Sequence, residues 1–441
     1  MAASYLPYEP QQQRLLPDSL QDWLPEGHLA YFISDSIDSL DLSAFHARYA
    51  KGGPRNQPFH PAMMIKVLIY GYATGTFSSR KLAAKLFDDV ALRVLAAENY
   101  PAHRTLSDFR AQHLQDLSAL FAQVVCLARE CGLVKLGTVA VDGTKLKANA
   151  SRHKAMSYER MLKAESELKA QIDELLNRAK AADALEKNEP DIDIPSEIKR
   201  RAERLGAITA AKLRLEQRQQ EADAARGRSE DDQCKPRDKD GKPKGGRYKR
   251  DFGVPKDSAQ ESFTDTDSRI MKRAGGGYDY GYNAHTAVDE TAQIVVVAEL
   301  TNNAADNDRL PVLLAQVKAT LGDDAKRVLA DAGVRSESVF EQLKDCLSEL
   351  IVALGREGKQ DLEIDAQKYP HSAAMDAKLK TPEGRAAYRK RKWIVEAPNG
   401  WIKSVLGFRQ FSLRGLEKVK AEFKFVCLAL NLRRMCNLRV T

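Results

Sequence analysis

Three acidic residues, far apart in the chain, have the residue type and the setting needed to hold divalent cations. Asp142 closes a continuous apolar run that begins at Val139, and a glycine follows it directly. Asp331 closes a second apolar run, residues 328–330, and a glycine follows two residues later. Short apolar runs bounded by turn residues are typical of buried strands. Because burying an unpaired carboxylate is costly, both aspartates are predicted at the exposed ends of two strands, where they could share a metal ion.

Glu396 is the candidate for a third ligand. On a predicted helix, Arg389, Lys392 and Lys403 fall near one face with it, and a carboxylate flanked by cations suits a metal site beside phosphates. The alternative is a surface pair of Lys392 and Glu396, worth only about 0.3–0.5 kcal/mol. Pro398 removes a backbone hydrogen bond, so the argument for one shared face is firm only as far as Glu396.

Three clustered carboxylates have a clear chemical use. Hard cations such as Mg²⁺ prefer oxygen ligands and keep some of their waters. Two such ions, about 3.5–4 Å apart, activate a nucleophile and stabilise the leaving oxygen in phosphoryl transfer. Without cations the carboxylates repel one another, and one of them should take up a proton. The arrangement therefore predicts a site that needs its cations to stay ionised.

The rest of the sequence predicts an α/β protein in three parts. Residues 1–131 carry successive short amphipathic helices and are predicted to form an all-helical, DNA-binding domain. Residues 132–151 and 262–441 alternate strand and helix patterns, which predicts a mixed sheet with helices on its faces. Between them, residues 152–261 predict a helical hairpin followed by a basic loop, inserted after the first strand. Two or three domains are expected at a length of 441 residues.

The charge of the chain predicts a polyanionic partner, with nucleic acid as the first candidate. The formal net charge is +8 and the pI about 9.0. Many of the cations fall in segment 226–250, which includes Arg247, Lys249 and Arg250 and is interleaved with Gly and Pro. Such a segment cannot bury enough apolar surface to fold alone, and it is predicted to become ordered on a phosphate backbone. A solvated linker is the alternative.

Basic residues on the N-terminal helices would suit a helix-turn-helix-like DNA reader. A helical scaffold with ordinary charged faces explains them equally well. These residues are Arg80, Lys81, Lys85, Arg93, Arg104 and Arg110.

The cysteines and the apolar runs predict a cytoplasmic protein. None of the six cysteines forms a C-x-x-C pair, and their spacing fits neither a zinc site nor a disulfide framework. Reduced thiols are expected in the cytosol. The N-terminus lacks a signal-peptide pattern, and no apolar run approaches the roughly 18 residues of a membrane span.

The acidic segments 142–144, 330–333 and 395–403 resemble the three acidic motifs of bacterial insertion-sequence DDE transposases. Taken together these motifs are specific, and the likeness covers most of the chain except the hairpin and the basic loop. Four further segments are similar to other parts of that family: 59–110 to its N-terminal helical domain, 264–272 to the entry of the second strand, and 407–420 and 431–434 to its C-terminus.

The resemblance implies a ribonuclease-H-like catalytic domain that uses two Mg²⁺ ions, or Mn²⁺ in their place, to cut element ends and join them to target DNA. It makes Asp142, Asp331 and Glu396 the catalytic metal ligands. It implies double-stranded DNA as partner, both terminal repeats and target, with assembly as a homodimer on paired ends. The location implied is the bacterial cytoplasm, with association to the nucleoid during the reaction.

Many relatives carry a signature of Tyr, Arg, Glu and Lys on the last helix of the site. Glu396 and Lys403 match its usual spacing. Tyr388 and Arg391 keep their mutual spacing but lie one residue further from Glu396, and Lys392 stands in the expected Arg place. The four basic or aromatic residues among these are predicted DNA contacts.

Two other functions fit the same residues. The chain could be a DNA-binding relative that has lost catalysis, with its three carboxylates present but unable to bind metal. It could also be a metal-dependent nuclease that cuts DNA without strand transfer.

Overall fold

A computed structural model describes residues 19–49, 57–184, 194–230, 248–273, 276–355 and 364–439. Helices lead at the N-terminus, and strands alternate with helices from residue 138 onwards. The helices are α1 Leu29–Asp38, α2 Ser43–Ala47, α3 Pro61–Ala73, α4 Ser79–Asp88, α5 Val90–Leu95, α6 His103–Gln112, α7 Leu114–Glu130, α8 Tyr158–Ala184, α9 Ile194–Ala224, α10 Arg309–Leu321, α11 Glu337–Gln342, α12 Pro370–Lys380, α13 Pro382–Gly400 and α14 Leu416–Arg439. The strands are β1 Thr138–Lys147, β2 Ala155–Ser157, β3 Gln260–Ser262, β4 Arg269–Lys272, β5 Tyr278–Asp289, β6 Val295–Thr301, β7 Arg327–Ala330 and β8 Glu349–Val352.

The main sheet is mixed, as predicted. Its strand order is β4-β5-β1-β7-β8, and β6 also pairs with β5. β1 runs antiparallel to β5 but parallel to β7, and β7 runs parallel to β8. Val141 pairs with Ala330 across the parallel β1–β7 junction. Because the strands run in the same direction in register, the residues that follow this pair, Asp142 and Asp331, emerge side by side.

α14 holds the helical and sheet regions in one core. It packs on α7, α3 and α1 on one side and on β6 on the other. The buried Asn431 side chain accepts a hydrogen bond from Val295 N at 2.9 Å and donates one to Val295 O at 2.8 Å, which fixes α14 to β6. The buried hydrophobic cluster includes residues from Ala30 to Met435. The predicted domain boundary at residue 131 therefore falls within continuous packing.

The predicted helical hairpin is present as α8 and α9. The two helices share a small core of their own, which includes Met161, Ile208 and Ala211. At its base β2 pairs with β3, and the buried Glu261 of β3 forms ion pairs with Arg214 and Arg218 of α9. The insert is thus tied together by a two-stranded sheet and a buried ion cluster.

Local patterns miss two features of the fold. α12 lies in a polar segment, and its first turn depends on a distant residue: the Glu337 carboxylate accepts hydrogen bonds from the backbone N–H groups of His371 and Ser372 at 2.7 and 3.0 Å. α13 continues through the buried Pro398 into a π-helical turn, Trp401–Val405. Proline is expected to kink or end a helix, but here the buried Pro398 lies inside α13.

Two further observations bear on the sequence predictions. None of the cysteines in the described ranges, Cys126, Cys131, Cys346, Cys427 and Cys436, forms a disulfide. Among the helices that the structure describes, none combines the length and the apolar character that crossing a membrane requires.

A buried polar network links the N-terminal helices to the C-terminal region. Arg110 of α6 donates to the Tyr72 hydroxyl of α3 at 2.9 Å and to Phe77 O at 3.2 Å. The Tyr72 hydroxyl lies 3.5 Å from the Glu422 carboxylate of α14, which also accepts from Leu413 N at 3.0 Å. Arg110, one of the candidate DNA-reading residues, is therefore a structural residue.

Replacing Tyr72 with Phe should destabilise the protein, because it leaves the buried Arg110 guanidinium without one of its acceptors. We expect the free energy of unfolding to fall by about 1–3 kcal/mol, measured by urea denaturation. Tyr100→Phe is the matched control, since that ring is 39% exposed. Equal unfolding free energies for Tyr72→Phe and wild type would show that the network contributes nothing.

Candidate active site

Asp142 lies partway along β1 rather than at its end. The strand continues to Lys147, because β5 remains paired as far as Gly281 and the backbone of Gln410 bridges to Lys147 on the other side. Parallel pairing with β7, however, stops at Val141. Asp142 is thus the first residue beyond that junction, and its side chain is 19% exposed.

Asp331 follows β7 immediately and begins a tight turn. One oxygen of its carboxylate accepts the backbone N–H of Gly333 at 3.0 Å. Burial raises the pKa of Asp142, and the charge of Asp331 raises it as well, whereas Arg391 and Asn399 act in the opposite direction. The two aspartates are therefore close enough for the charge of one to affect the ionisation of the other.

α13 crosses this edge of the sheet and supplies the partners of Asp142. Arg391 Nη1 lies 3.4 Å from one carboxylate oxygen, and Asn399 Nδ2 donates to the other at 3.1 Å. Asn399 is itself buried, with its Oδ1 accepting from Thr286 of β5 at 3.4 Å. No local pattern in the sequence singles out Asn399. Lys403, in the π-helical turn, donates to the Thr144 hydroxyl of β1.

Glu396 lies on the same helix, between the two residues that reach Asp142, but its side chain faces solvent. Successive residues of an α-helix are rotated by about 100°, so the fully buried Val395 faces the sheet and Glu396 turns away from it. Within the described ranges its carboxylate makes no hydrogen bond or ion pair, and no three His, Cys, Asp or Glu side chains there are grouped to hold a metal ion. Glu396 therefore lies on the helix that reaches Asp142, but its own carboxylate makes no hydrogen bond to either aspartate.

A further carboxylate, Asp306, lies at the same edge of the sheet. A Cβ built on Gly333 would lie 3.1 Å from Asp306 Oδ2 and 3.0 Å from Asp331 Oδ1. A Cβ on Gly143 would lie 3.3 Å from Asp306 Oδ1. Asp308, which immediately precedes α10, makes no capping hydrogen bond through its side chain. Only the assembled fold shows this placement.

A basic groove of about 780 Å³ adjoins the aspartates. Asp279, on its wall, is neutralised by ion pairs with Arg152 and Arg273, so positive charge dominates. Lys145 and Lys147 share one exposed face of β1, since alternate strand residues point the same way. The cations of the groove are Lys145, Lys147, Lys272, Arg273, Lys403 and Arg409. Of these, only Lys403 is predicted from the sequence.

The other predicted DNA contacts have different settings. Tyr388 lies under the Arg391 guanidinium, 5.9 Å from ring centroid to Cζ, and Lys392 is exposed on α13. Lys249 and Arg250 lie beside the end of α9, where Arg228 donates to Arg250 O at 3.0 Å. Arg247 and most of the basic loop lie outside the described residues. The structure thus brings Arg391 and Lys403 to the aspartates and leaves Lys249 and Arg250 elsewhere.

Two family models match the chain. Residues 256–432 match a "Transposase DDE domain", and residues 18–112 match a "Transposase domain (DUF772)". The first match includes Asp331 and Glu396 and begins after Asp142. No curated protein and no solved structure matches the chain. With the sheet order, the first match confirms the predicted ribonuclease-H-like fold class.

Replacing Arg391 with Gln should raise the pKa of Asp142 further, because the guanidinium is the strongest influence holding it down against burial. The measurement is a ¹³C NMR titration of the Asp142 carboxyl in protein labelled at aspartate. Arg389→Gln, at an exposed position of the same helix, is the control. An Asp142 pKa equal to that of wild type in Arg391→Gln would mean that the 3.4 Å contact does not stabilise the carboxylate.

Proposed function

We propose that this chain, which belongs to the insertion-sequence DDE transposases, cuts phosphodiester bonds at the ends of its element and joins the freed 3′ ends to target DNA. Membership of the family supports a DNA transposase that binds DNA and depends on a divalent metal. One observation carries the finer proposal: the β1–β7 junction delivers Asp142 and Asp331 side by side, next to a groove lined by cations.

The residues at this edge fit a divalent cation. Carboxylate oxygens are the donors that hard cations such as Mg²⁺ and Mn²⁺ prefer. The pKa of Asp142 is raised by burial and by Asp331, so the site stabilises its own negative charge poorly and gains from added positive charge. Asp142 and Asp331 would hold two such ions, Mg²⁺ or Mn²⁺ in its place. Bound there, the ions would supply an activated water and charge stabilisation at the phosphate.

We propose Glu396 as the third ligand. It lies on α13 between Arg391 and Asn399, both of which reach Asp142. Its carboxylate has no partner within the described ranges, so no existing contact must be broken for it to turn. A rotation of the side chain toward the strand ends, driven by cation and DNA binding, would complete the set of three.

Other residues of the site act on charge and position. Arg391 balances Asp142 in the absence of a cation and is placed to contact a phosphate once the carboxylate is engaged. Asn399 holds the other Asp142 oxygen and is anchored to β5 through Thr286, which fixes the orientation of the carboxylate. Lys403 donates a hydrogen bond to the Thr144 hydroxyl and lies where the groove adjoins the aspartates.

The groove is proposed as the path of the DNA backbone to the cut site. Lys145, Lys147 and Arg409 line it as a basic wall, and the backbone bridge between Gln410 and Lys147 keeps Arg409 in register with the strand. Lys392, Tyr388 and the segment with Arg247, Lys249 and Arg250 remain predicted DNA contacts. Assembly of two copies on paired ends also remains a prediction.

Substituting Asp142→Asn, Asp331→Asn or Glu396→Gln should lower Mg²⁺-dependent cleavage by more than about 100-fold, since each removes a ligand rather than an outer partner. The assay uses a labelled duplex that carries the element end. Glu383→Gln, an exposed position in the first turn of α13, is the control. Full cleavage by any one variant would remove that residue from the proposed ligand set.

Adding a target plasmid to the same assay separates the possible functions. Cleaved ends joined to the plasmid are expected from a transposase. Cleavage without joining would identify a nuclease, and binding without cleavage would identify an inactive relative; either result would overturn the proposal of strand transfer.

Neutralising the groove should reduce the salt dependence of DNA binding. For Lys145→Gln, Lys147→Gln and Arg409→Gln together, we expect the slope of log K against log salt to flatten by about 0.9 for each phosphate that the variant no longer neutralises. Affinity is measured by fluorescence anisotropy on the end duplex between low and moderate salt.

A charge-matched control is available away from the groove, toward the amino end of β7. Lys318 lies on α10, Lys326 immediately precedes β7, and Lys344 follows α11. Their triple change to Gln should leave the slope as in wild type. Equal slopes for the groove variant and wild type would exclude the groove as the DNA path.

A further inference from the structure

Asp306 connects the ends of the two strands that carry the aspartates. It lies in the connection between β6 and α10, and its two oxygens face different neighbours. Oδ1 faces Gly143, which follows Asp142, whereas Oδ2 faces Gly333, which lies two residues after Asp331. At each glycine a Cβ would come within 3.3 Å of the Asp306 carboxylate. The chain thus leaves room for this carboxylate where the two strand ends meet.

Residues of β5 hold one oxygen of Asp306 in place. Asn283 Nδ2 of β5 donates to Oδ1 at 2.5 Å and also to Asn303 O at 3.2 Å. His285, two residues along β5, places its Nε2 3.6 Å from the same oxygen. Asn283 and His285 are each only 1% exposed. The anchoring groups are therefore held inside the sheet.

The polar groups around Asp306 are incompletely satisfied. His285 Nε2 is buried and has no hydrogen-bond partner within the described ranges, although Asp306 is its neighbour. Asp306 Oδ2 also has no hydrogen bond there, and the side chain is 26% exposed. His285 Nε2 lies 3.6 Å from the anchored Oδ1, while the other oxygen of the same carboxylate is open. A buried nitrogen without a partner at this carboxylate points to a ligand there, because buried polar groups are normally paired.

A structural role explains these contacts less well. A carboxylate that only capped α10 would bond the first N–H groups of that helix, but Asp306 bonds Arg309 N through its backbone oxygen. One oxygen of Asp306 is anchored and the other is open toward the turn of Asp331, which is how a metal ligand is positioned by its outer partners.

We propose that Asp306 is a fourth carboxylate of this site, which contributes Oδ2 to the divalent-cation site between the ends of β1 and β7. Asn283 and His285 are its positioning residues. The proposal rests on the proposed function, since it needs a cation held by Asp142 and Asp331. The connection before α10 thereby takes a direct part in cation binding.

The test is Mn²⁺ binding by the full-length protein on its end duplex, followed by the electron paramagnetic resonance signal of free Mn²⁺. Asp306→Asn should weaken Mn²⁺ binding by about 10-fold or more. Asp308→Asn is the matched control: it lies two residues away, 61% exposed and paired with Arg309, and should bind Mn²⁺ as wild type does. Asp331→Asn tests whether the proposed cation site itself binds Mn²⁺.

The outcomes are distinct. Weakening by Asp306→Asn and by Asp331→Asn, with Asp308→Asn unchanged, supports the proposal. Wild-type Mn²⁺ binding by Asp306→Asn with weakened binding by Asp331→Asn would overturn the role of Asp306 and leave the proposed function standing. No Mn²⁺ binding by wild type, or undiminished binding by Asp331→Asn, would overturn both.

A second measurement avoids the risk that Asp306→Asn unfolds. Fe²⁺ bound to the wild-type protein in place of Mn²⁺, with ascorbate and hydrogen peroxide, generates hydroxyl radicals that cut the nearby backbone. Cuts are expected around residue 306 as well as around 142 and 331, and excess Mg²⁺ should suppress all three. Cuts at 142 and 331 with none near 306 would contradict the proposal.

Discussion

The parallel pairing of β1 with β7 is the constraint on which the site depends. Its last pair, Val141 with Ala330, fixes the next residues as two neighbouring aspartates. The residues of both strands leading to that pair, from 139 and from 328, are fully buried, so a slip of register would carry a carboxylate into the apolar interior. The register of β1 on β7 therefore determines both the burial of the apolar residues and the positions of the two aspartates.

That placement has an electrostatic cost, which the surrounding elements offset. Two carboxylates side by side disfavour each other's ionisation, and burial is the larger influence at Asp142. Arg391 and Asn399, about two turns apart on α13, compensate at separate oxygens of one carboxylate. A cation would replace the guanidinium as the main source of positive charge. Arg391 would then be released beside the DNA groove, which would couple cation binding to phosphate binding.

The wider fold keeps the sheet and the N-terminal helices in fixed relation. α14 packs both on β6 and on the N-terminal helices, and Asn431 pairs with the β6 backbone. The Arg110–Tyr72–Glu422 network continues this link to α3 and α6. The N-terminal region is consequently part of the same core as the site, so DNA bound by those helices would lie in a fixed geometry relative to the aspartates.

Much of this could be predicted from the sequence. Apolar runs ending in Asp, glycine after them, and the helical period around Glu396 are local signals, and they predicted β1, β7 and α13. They did not predict that β1 continues beyond Asp142, because that depends on its pairing with β5. The mixed sheet followed from the alternation of strand and helix patterns, and the hairpin insert from two helical pieces after the first strand. Three features depend on tertiary contacts, which no local pattern predicts. They are the orientation of the Glu396 side chain, the contact of Asn399 with Asp142, and the hydrogen bonds of Glu337 to the first turn of α12. Asp306 was missed for the same reason: in sequence it resembles a helix cap.

The most direct test of the central claim is a structure of the protein bound to a duplex carrying its element end and to Mn²⁺, with the metal located by anomalous scattering. We predict Mn²⁺ between Asp142 and Asp331, with the Glu396 carboxylate turned in from solvent to join them. Mn²⁺ bound away from these aspartates, or Glu396 still facing solvent with DNA and metal both in place, would contradict that claim.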